Sequence, residues 1–97
     1  MKRSFYETGE IKSESIIANG LLHGESTHFF KNGNVRFKSF YKNGLLDGES
    51  FEYYDNGEKK AYANYENGLL NGQSKKWTSD GVLESEVYFE KGLLLDQ

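Results

Sequence analysis

Apolar and polar residues alternate along this chain in short runs, as in VRFK at residues 35–38, and the strand-forming stretches that hold them, such as VRFKSFY and KAYANY, are each stopped by a glycine turn. Strict alternation over four to eight residues is the pattern of a half-exposed β-strand, because successive side chains point to opposite faces. The stops are periodic. Glycines fall at 9, 33, 57 and 81, at 20, 44, 68 and 92, and at 24, 48 and 72, so all 11 glycines occupy three columns with a spacing of 24. Other columns keep the same period. The fifth position is aromatic (Phe5, Phe29, Tyr53, Trp77), the seventeenth is large and apolar (Ile17, Tyr41, Tyr65, Phe89), and a Leu-Leu pair starts at 21, 45, 69 and 93. A fixed period held without insertion marks a repeat architecture. The chain reads as one domain, residues 1–97, divided into units 1–24, 25–48, 49–72 and 73–97.

Each unit holds two glycine turns. The first reads ETG, KNG, DNG or SDG, the second NGLLHG, NGLLDG, NGLLNG or KGLLLD. Asn-Gly and Asp-Gly favour tight hairpins because glycine accepts positive φ without a Cβ clash and Asn or Asp tolerates the adjoining position. The spacing predicts turns at 31–33, 55–57 and 79–81, eight antiparallel strands, and an all-β fold: an elongated single-layer antiparallel sheet of four 24-residue β-hairpin repeats. The absence of proline agrees, since a central strand cannot lose a backbone donor.

The register depends on the first turn. A three-residue loop with glycine at the left-handed bulge pairs the aromatic column with Ile11, Val35, Lys59 and Leu83. It places Phe29, Val35, Phe37 and Tyr41 on one side with Ser39, Ala61, Ala63 and Ser85. The other side then carries Phe30, Phe40, Tyr54, Tyr62 and Tyr88 beside Lys12, Arg36, Lys38 and Lys60. A two-residue turn instead pairs Phe30 with Val35 and partly exchanges the faces along one arm of each hairpin.

With 15% aromatic, 28% charged and 36% hydrophobic residues, the chain is too aromatic for disorder and too polar for a thick core. A formal charge of −3 argues against sequence-independent nucleic-acid binding, which is driven by Lys and Arg displacing counterions, and favours a basic protein partner. The interleaved aromatics and cations of the second side would admit a stacking platform for bases, but overall acidity opposes it. There is no cysteine, so disulfides and thiolate metal sites are excluded. The longest aliphatic run is Leu93–Leu95, so no membrane association or secretion is expected and a cytoplasmic location is.

Candidate chemistry is sparse. His23, Glu25 and His28 lie close together, but HGESTH lacks the helical spacing that puts two imidazoles on one face. His23 shares a column with Asp47 and Asn71, where a turn-tolerant residue precedes glycine, and His28 shares one with Ser4, Glu52 and Lys76. Ser26, Ser50 and Ser74 recur without a recurring base. Glu14, Glu52, Asp55, Glu84 and Glu86 are spread over turns and strands rather than paired. The isolated glycines never open a helix onto a phosphate. No catalytic residue, metal or cofactor is expected.

At these columns the sequence resembles the MORN-repeat-variant family, whose units have an aromatic pair, a short NG turn, a second strand and a closing NG-x-x-x-G segment. FFKNGNVRFKSFYKNGLLDG and YYDNGEKKAYANYENGLLNG are the best copies. The resemblance implies stacked hairpins in an elongated sheet, and an antitoxin-like role by likeness to bacterial members. The original MORN repeat has further tyrosine, glycine and tryptophan positions that these units lack, so its phospholipid binding is not implied. The expected function is a non-enzymatic protein-binding module that inhibits or neutralises a partner such as a toxin. The alternatives are a phage-type inhibitor of a bacterial defence nuclease, for example a CRISPR effector, or a structural or membrane-associated scaffold. The expected partner-binding residues are Phe30, Arg36, Lys38, Phe40, Tyr54, Lys60, Tyr62 and Tyr88, aromatic or basic positions on one face. The same rings also fit a role in covering the sheet or in a homodimer, and Asp96, in place of the last glycine, is expected to help cap the array.

Overall fold

Two turn types, each set by glycine, generate the architecture. In the computed structural model, which describes residues 1–95, Asn43 and Gly44 have φ of 50° and 84° and Asn67 and Gly68 repeat the pair at 50° and 84°. Positive φ at both central residues is the two-residue hairpin turn whose twist suits antiparallel strands. In the other turn Gly33 donates its N–H to the Phe30 carbonyl at 3.0 Å and Phe30 donates to the Asn34 carbonyl at 2.8 Å. This is the three-residue loop closed by a left-handed glycine, and the aromatic column pairs as that loop requires: Phe5 with Ile11, Phe29 with Val35, Tyr53 with Lys59 and Trp77 with Leu83.

The strands are β1 (Lys2–Phe5), β2 (Ile11–Ala18), β3 (Leu21–Phe29), β4 (Val35–Lys42), β5 (Leu45–Leu46), β6 (Gly48–Tyr53), β7 (Lys59–Glu66), β8 (Leu69–Trp77), β9 (Leu83–Glu90) and β10 (Leu93–Leu94). All belong to one antiparallel sheet in chain order, with β5 pairing β4 ahead of β6. Among the described residues there are ten strands rather than eight. Asp47, which donates its N–H to the Phe40 carbonyl at 2.9 Å, splits one expected strand into β5 and β6. Leu93–Leu94 opens the tenth. The expected cap at Asp96 lies outside the described residues.

The sheet measures 46 × 38 × 13 Å, a single layer. Among the described residues no hydrophobic side chain is buried; Ser26, Thr27, Ser39 and Ser50 are the ones removed from water, Ser39 completely. Ser26 shares a hydrogen bond with Ser15 at 2.8 Å and Ser50 donates to Ser39 at 3.3 Å, both across strands, while Thr27 donates to Glu25 Oε1 of its own strand at 3.2 Å, so each buried hydroxyl has a partner.

Contacts between units take the place of a core. Gly44 donates its N–H to the Leu22 carbonyl at 2.8 Å, and Gly68 and Gly92 repeat the bond to Leu46 and Leu70 at 2.7 Å. The preceding leucine lies beneath each turn: a Cβ on Gly44, Gly68 or Gly92 would stand 3.5 Å from Cδ2 of Leu21, Leu45 or Leu69. The column before the third glycine caps the following turn. His23 Nδ1 accepts from Asn43 N–H at 3.2 Å, Asp47 Oδ1 from Asn67 at 3.3 Å, and Asn71 Oδ1 from Lys91 at 3.1 Å. His23 is thus a hydrogen-bond acceptor in a series with Asp and Asn.

On the opposite margin, the Tyr6 hydroxyl donates to the Phe29 carbonyl at 2.5 Å and the Tyr54 hydroxyl to that of Trp77 at 2.8 Å. Phe30 occupies the same column and has no hydroxyl to offer Tyr53. Phe30→Tyr is therefore expected to add the missing bond and stabilise the sheet by about 0.5–1.5 kcal/mol. A higher urea midpoint checks this, and an unchanged midpoint would contradict it.

Candidate protein-binding face

Pairing assigns the faces. Ser15, Ser26 and Ser39 follow one another across β2, β3 and β4, and Ser50, Ala63, Ser74 and Val87 continue the row across β6 to β9. Phe37, Tyr41, Ala61, Tyr65, Ser85 and Phe89 share this face, called here the serine face, by alternation along their strands. The reverse face carries Glu25, Lys38, Phe40, Glu49, Phe51, Tyr62, Gln73, Lys75, Glu86 and Tyr88.

Four of the eight expected partner-binding residues, Lys38, Phe40, Tyr62 and Tyr88, therefore stand together on the reverse face. The other four do not join them. Between His28 and Phe29, and again between Glu52 and Tyr53, the register shifts because β4 and β7 each contribute one extra residue, Arg36 and Lys60. The bulge turns those side chains toward the serine face. Lys60 Nζ lies 3.6 Å from Glu52 Oε2, and Arg36 lines a cleft of about 290 Å³ with His28, Phe37 and Glu52. Their aromatic neighbours go with them: the Arg36 guanidinium is 5.6 Å from the Phe30 ring centre and Lys60 Nζ is 5.5 Å from that of Tyr54. The single aromatic and basic face expected from alternation is thus corrected to two groups on opposite faces, and Tyr54 is tied to the next unit by its hydroxyl.

The same alternation corrects the placement of Phe29. It neighbours His28, which pairs with Phe37 on the serine face, so Phe29 and its partner Val35 belong to the reverse face. Its counterpart Tyr53 stacks beside Phe51, with ring centres 6.4 Å apart and planes at 19°. The Phe51 ring is 5.2 Å from that of Tyr62. Phe51 and Tyr53 thus extend the aromatic cluster around Tyr62. Sequence reading missed Phe51 because its column otherwise holds Arg3, Thr27 and Lys75; the signal was a ring standing where the other units have polar residues.

Polar ties frame the cluster. Lys38 Nζ meets Glu25 Oε1 at 3.3 Å, the Tyr62 hydroxyl donates to Glu49 Oε2 at 2.8 Å, and Gln73 Nε2 donates to the Tyr88 hydroxyl at 3.1 Å. Partial burial, followed by the hydrogen bond to Glu49 and that carboxylate's charge, raises the Tyr62 phenol above its usual value. The neutral phenol is favoured in the folded chain. Its contribution to stability is present below the unfolded phenol value of about 10 and is lost as pH rises through the raised folded value. Glu49→Gln is expected to move Tyr62 ionisation to lower pH, read as the difference in phenolate absorbance between matched chains with and without Tyr62→Phe. An unmoved difference titration would exclude Glu49 as a cause.

The histidines are not brought together as ligands. His23 caps a turn, His28 meets the Phe37 ring edge-on at 6.1 Å, and no three His, Asp or Glu side chains converge among the described residues.

The family profile described as MORN repeat variant matches residues 22–43, 46–67 and 70–91, more than half of the chain, with starts 24 residues apart. No curated protein and no solved structure matches.

Proposed function

Because this chain belongs to the MORN repeat variant family, a family of repeat binding modules, we propose that it is a non-enzymatic module that binds a partner protein and inhibits or neutralises it, in the manner of an antitoxin. The observation carrying this reading is the uncovered cluster of Phe51, Tyr53 and Tyr62 on the reverse face, together with Lys38, Phe40 and Tyr88. Aromatic side chains on a rigid sheet offer large contact area with little ordering cost, which is how binding hot spots are built. Residues 49–97 carry ten of the 15 acidic residues and five of the 12 basic ones, so a partner with a basic surface, such as a nucleic-acid-cleaving toxin, is favoured electrostatically. The reading places the protein in the cytoplasm, where such a partner would act.

The test is affinity capture with the full chain, identification of the bound protein, and assay of that protein's own activity with increasing amounts of this chain. Stoichiometric loss of the partner's activity supports inhibition. A captured partner whose activity is unchanged at saturation rules inhibition out while leaving binding in place.

A further inference from the structure

The half of the serine face next to the Asn-Gly turns carries no charged side chain from β2 to β9. Tyr41 pairs with Leu46 and Tyr65 with Leu70, and Ile17–Leu22 extends the row toward the N-terminal edge. The neighbouring row is serine, alanine and valine. None of these large side chains is buried, and Ile17 is 38% exposed. The reverse face, by contrast, holds the Arg3–Glu14, Lys38–Glu25 and Lys75–Glu86 ion pairs. Domains ordinarily stack two layers around their apolar surface, and this one has a single layer 13 Å thick.

We propose that the strip is covered by the same strip of a second copy of this chain, giving a symmetric face-to-face dimer. Seven strand positions, β2 to β9 with β5 and β6 in line, about 4.8 Å apart and five residues at about 3.4 Å along each give a footprint of roughly 570 Å². This is close to the roughly 600 Å² that each partner contributes at the lower end of specific stable interfaces. Depletion of charge with enrichment of tyrosine and leucine is the composition of a homodimer interface core, whereas a foreign charged partner would find nothing to pair with. A two-fold relation brings the strip onto itself, so one apolar patch supplies both sides. The dimer leaves the reverse face open, and the proposal stands independently of the partner-binding reading.

Sedimentation equilibrium of the full chain over about a hundredfold range of concentration is expected to show a dimer dissociating at micromolar or lower concentration. Tyr65→Asp combined with Leu70→Asp should weaken association at least about a hundredfold, while Gln73→Asp on the reverse face leaves it unchanged. Since the chain has no cysteine, single-cysteine variants give a second reading that does not depend on the double variant folding. Leu46→Cys should be joined into dimers by a short bismaleimide at concentrations where Gln73→Cys is not. A wild-type monomer at every concentration, a folded double variant that still dimerises, or equal cross-linking from both faces would each overturn the proposal.

Discussion

Gly68→Val is expected to destabilise the sheet by about 1–3 kcal/mol, because Gly68 holds φ of +84°, a conformation closed to β-branched side chains without strain. A second effect adds to the strain. A Cβ at this position meets Leu45 Cδ2 at 3.5 Å, an ordinary contact, but the two methyls of valine must fit against the same leucine. If the turn shifts to relieve them, the 2.7 Å bond from Gly68 N–H to the Leu46 carbonyl, which joins one unit to the next, is weakened. Gly57 provides the comparison. It has φ of +90° with nothing within 4 Å of its Cβ position, so Gly57→Val carries the strain without the crowding. Urea unfolding should rank Gly68→Val below Gly57→Val and both below wild type. Equal midpoints for the two variants would show that turn stacking contributes little. A Gly68→Val midpoint equal to wild type would remove the backbone argument itself.

Replacing Phe40 and Tyr62 together with alanine is expected to weaken partner binding by about 2–4 kcal/mol, the range for truncating central hot-spot rings. The structure also sets a stability cost. Tyr62 gives up its hydrogen bond to Glu49 and its contact with the Phe51 ring, so a loss of about 1–2 kcal/mol accompanies the binding effect. Stability is therefore measured in parallel, by the same urea titration. A folded double variant that binds normally would remove the reverse face from consideration. His23→Asn combined with His28→Ser serves as the control, expected to bind as wild type: Asn71 shows that asparagine can accept the same backbone bond as His23, and Ser4 occupies the His28 column in the first unit.

Much of the architecture was legible in the glycine spacing. A period of 24, two turn chemistries per period and alternating strands between them were enough to predict an all-β sheet of stacked hairpins. The three-residue loop predicted the pairing of Phe29 with Val35 and Tyr53 with Lys59 found in the structure. These features are local: a left-handed glycine and its neighbours choose the turn, and the turn chooses the first pair of the ladder.

The faces were less legible, for a physical reason seen at Arg36 and Lys60. Alternation assumes one residue per step on both strands, and one extra residue beyond the turn moves a side chain to the other face without any change in local composition. Phe30 and Tyr54 were misassigned with them, while Lys38, Phe40, Tyr62 and Tyr88 lay beyond the bulge and kept their expected face. The capping role of His23 and the ties made by Tyr6 and Tyr54 depend on units 24 residues apart meeting side by side. Repeat spacing and turn chemistry are properties of neighbouring residues and can be read along the chain, whereas bulge position and contacts between units arise only when one strand's hydrogen bonds and side chains are matched against the next.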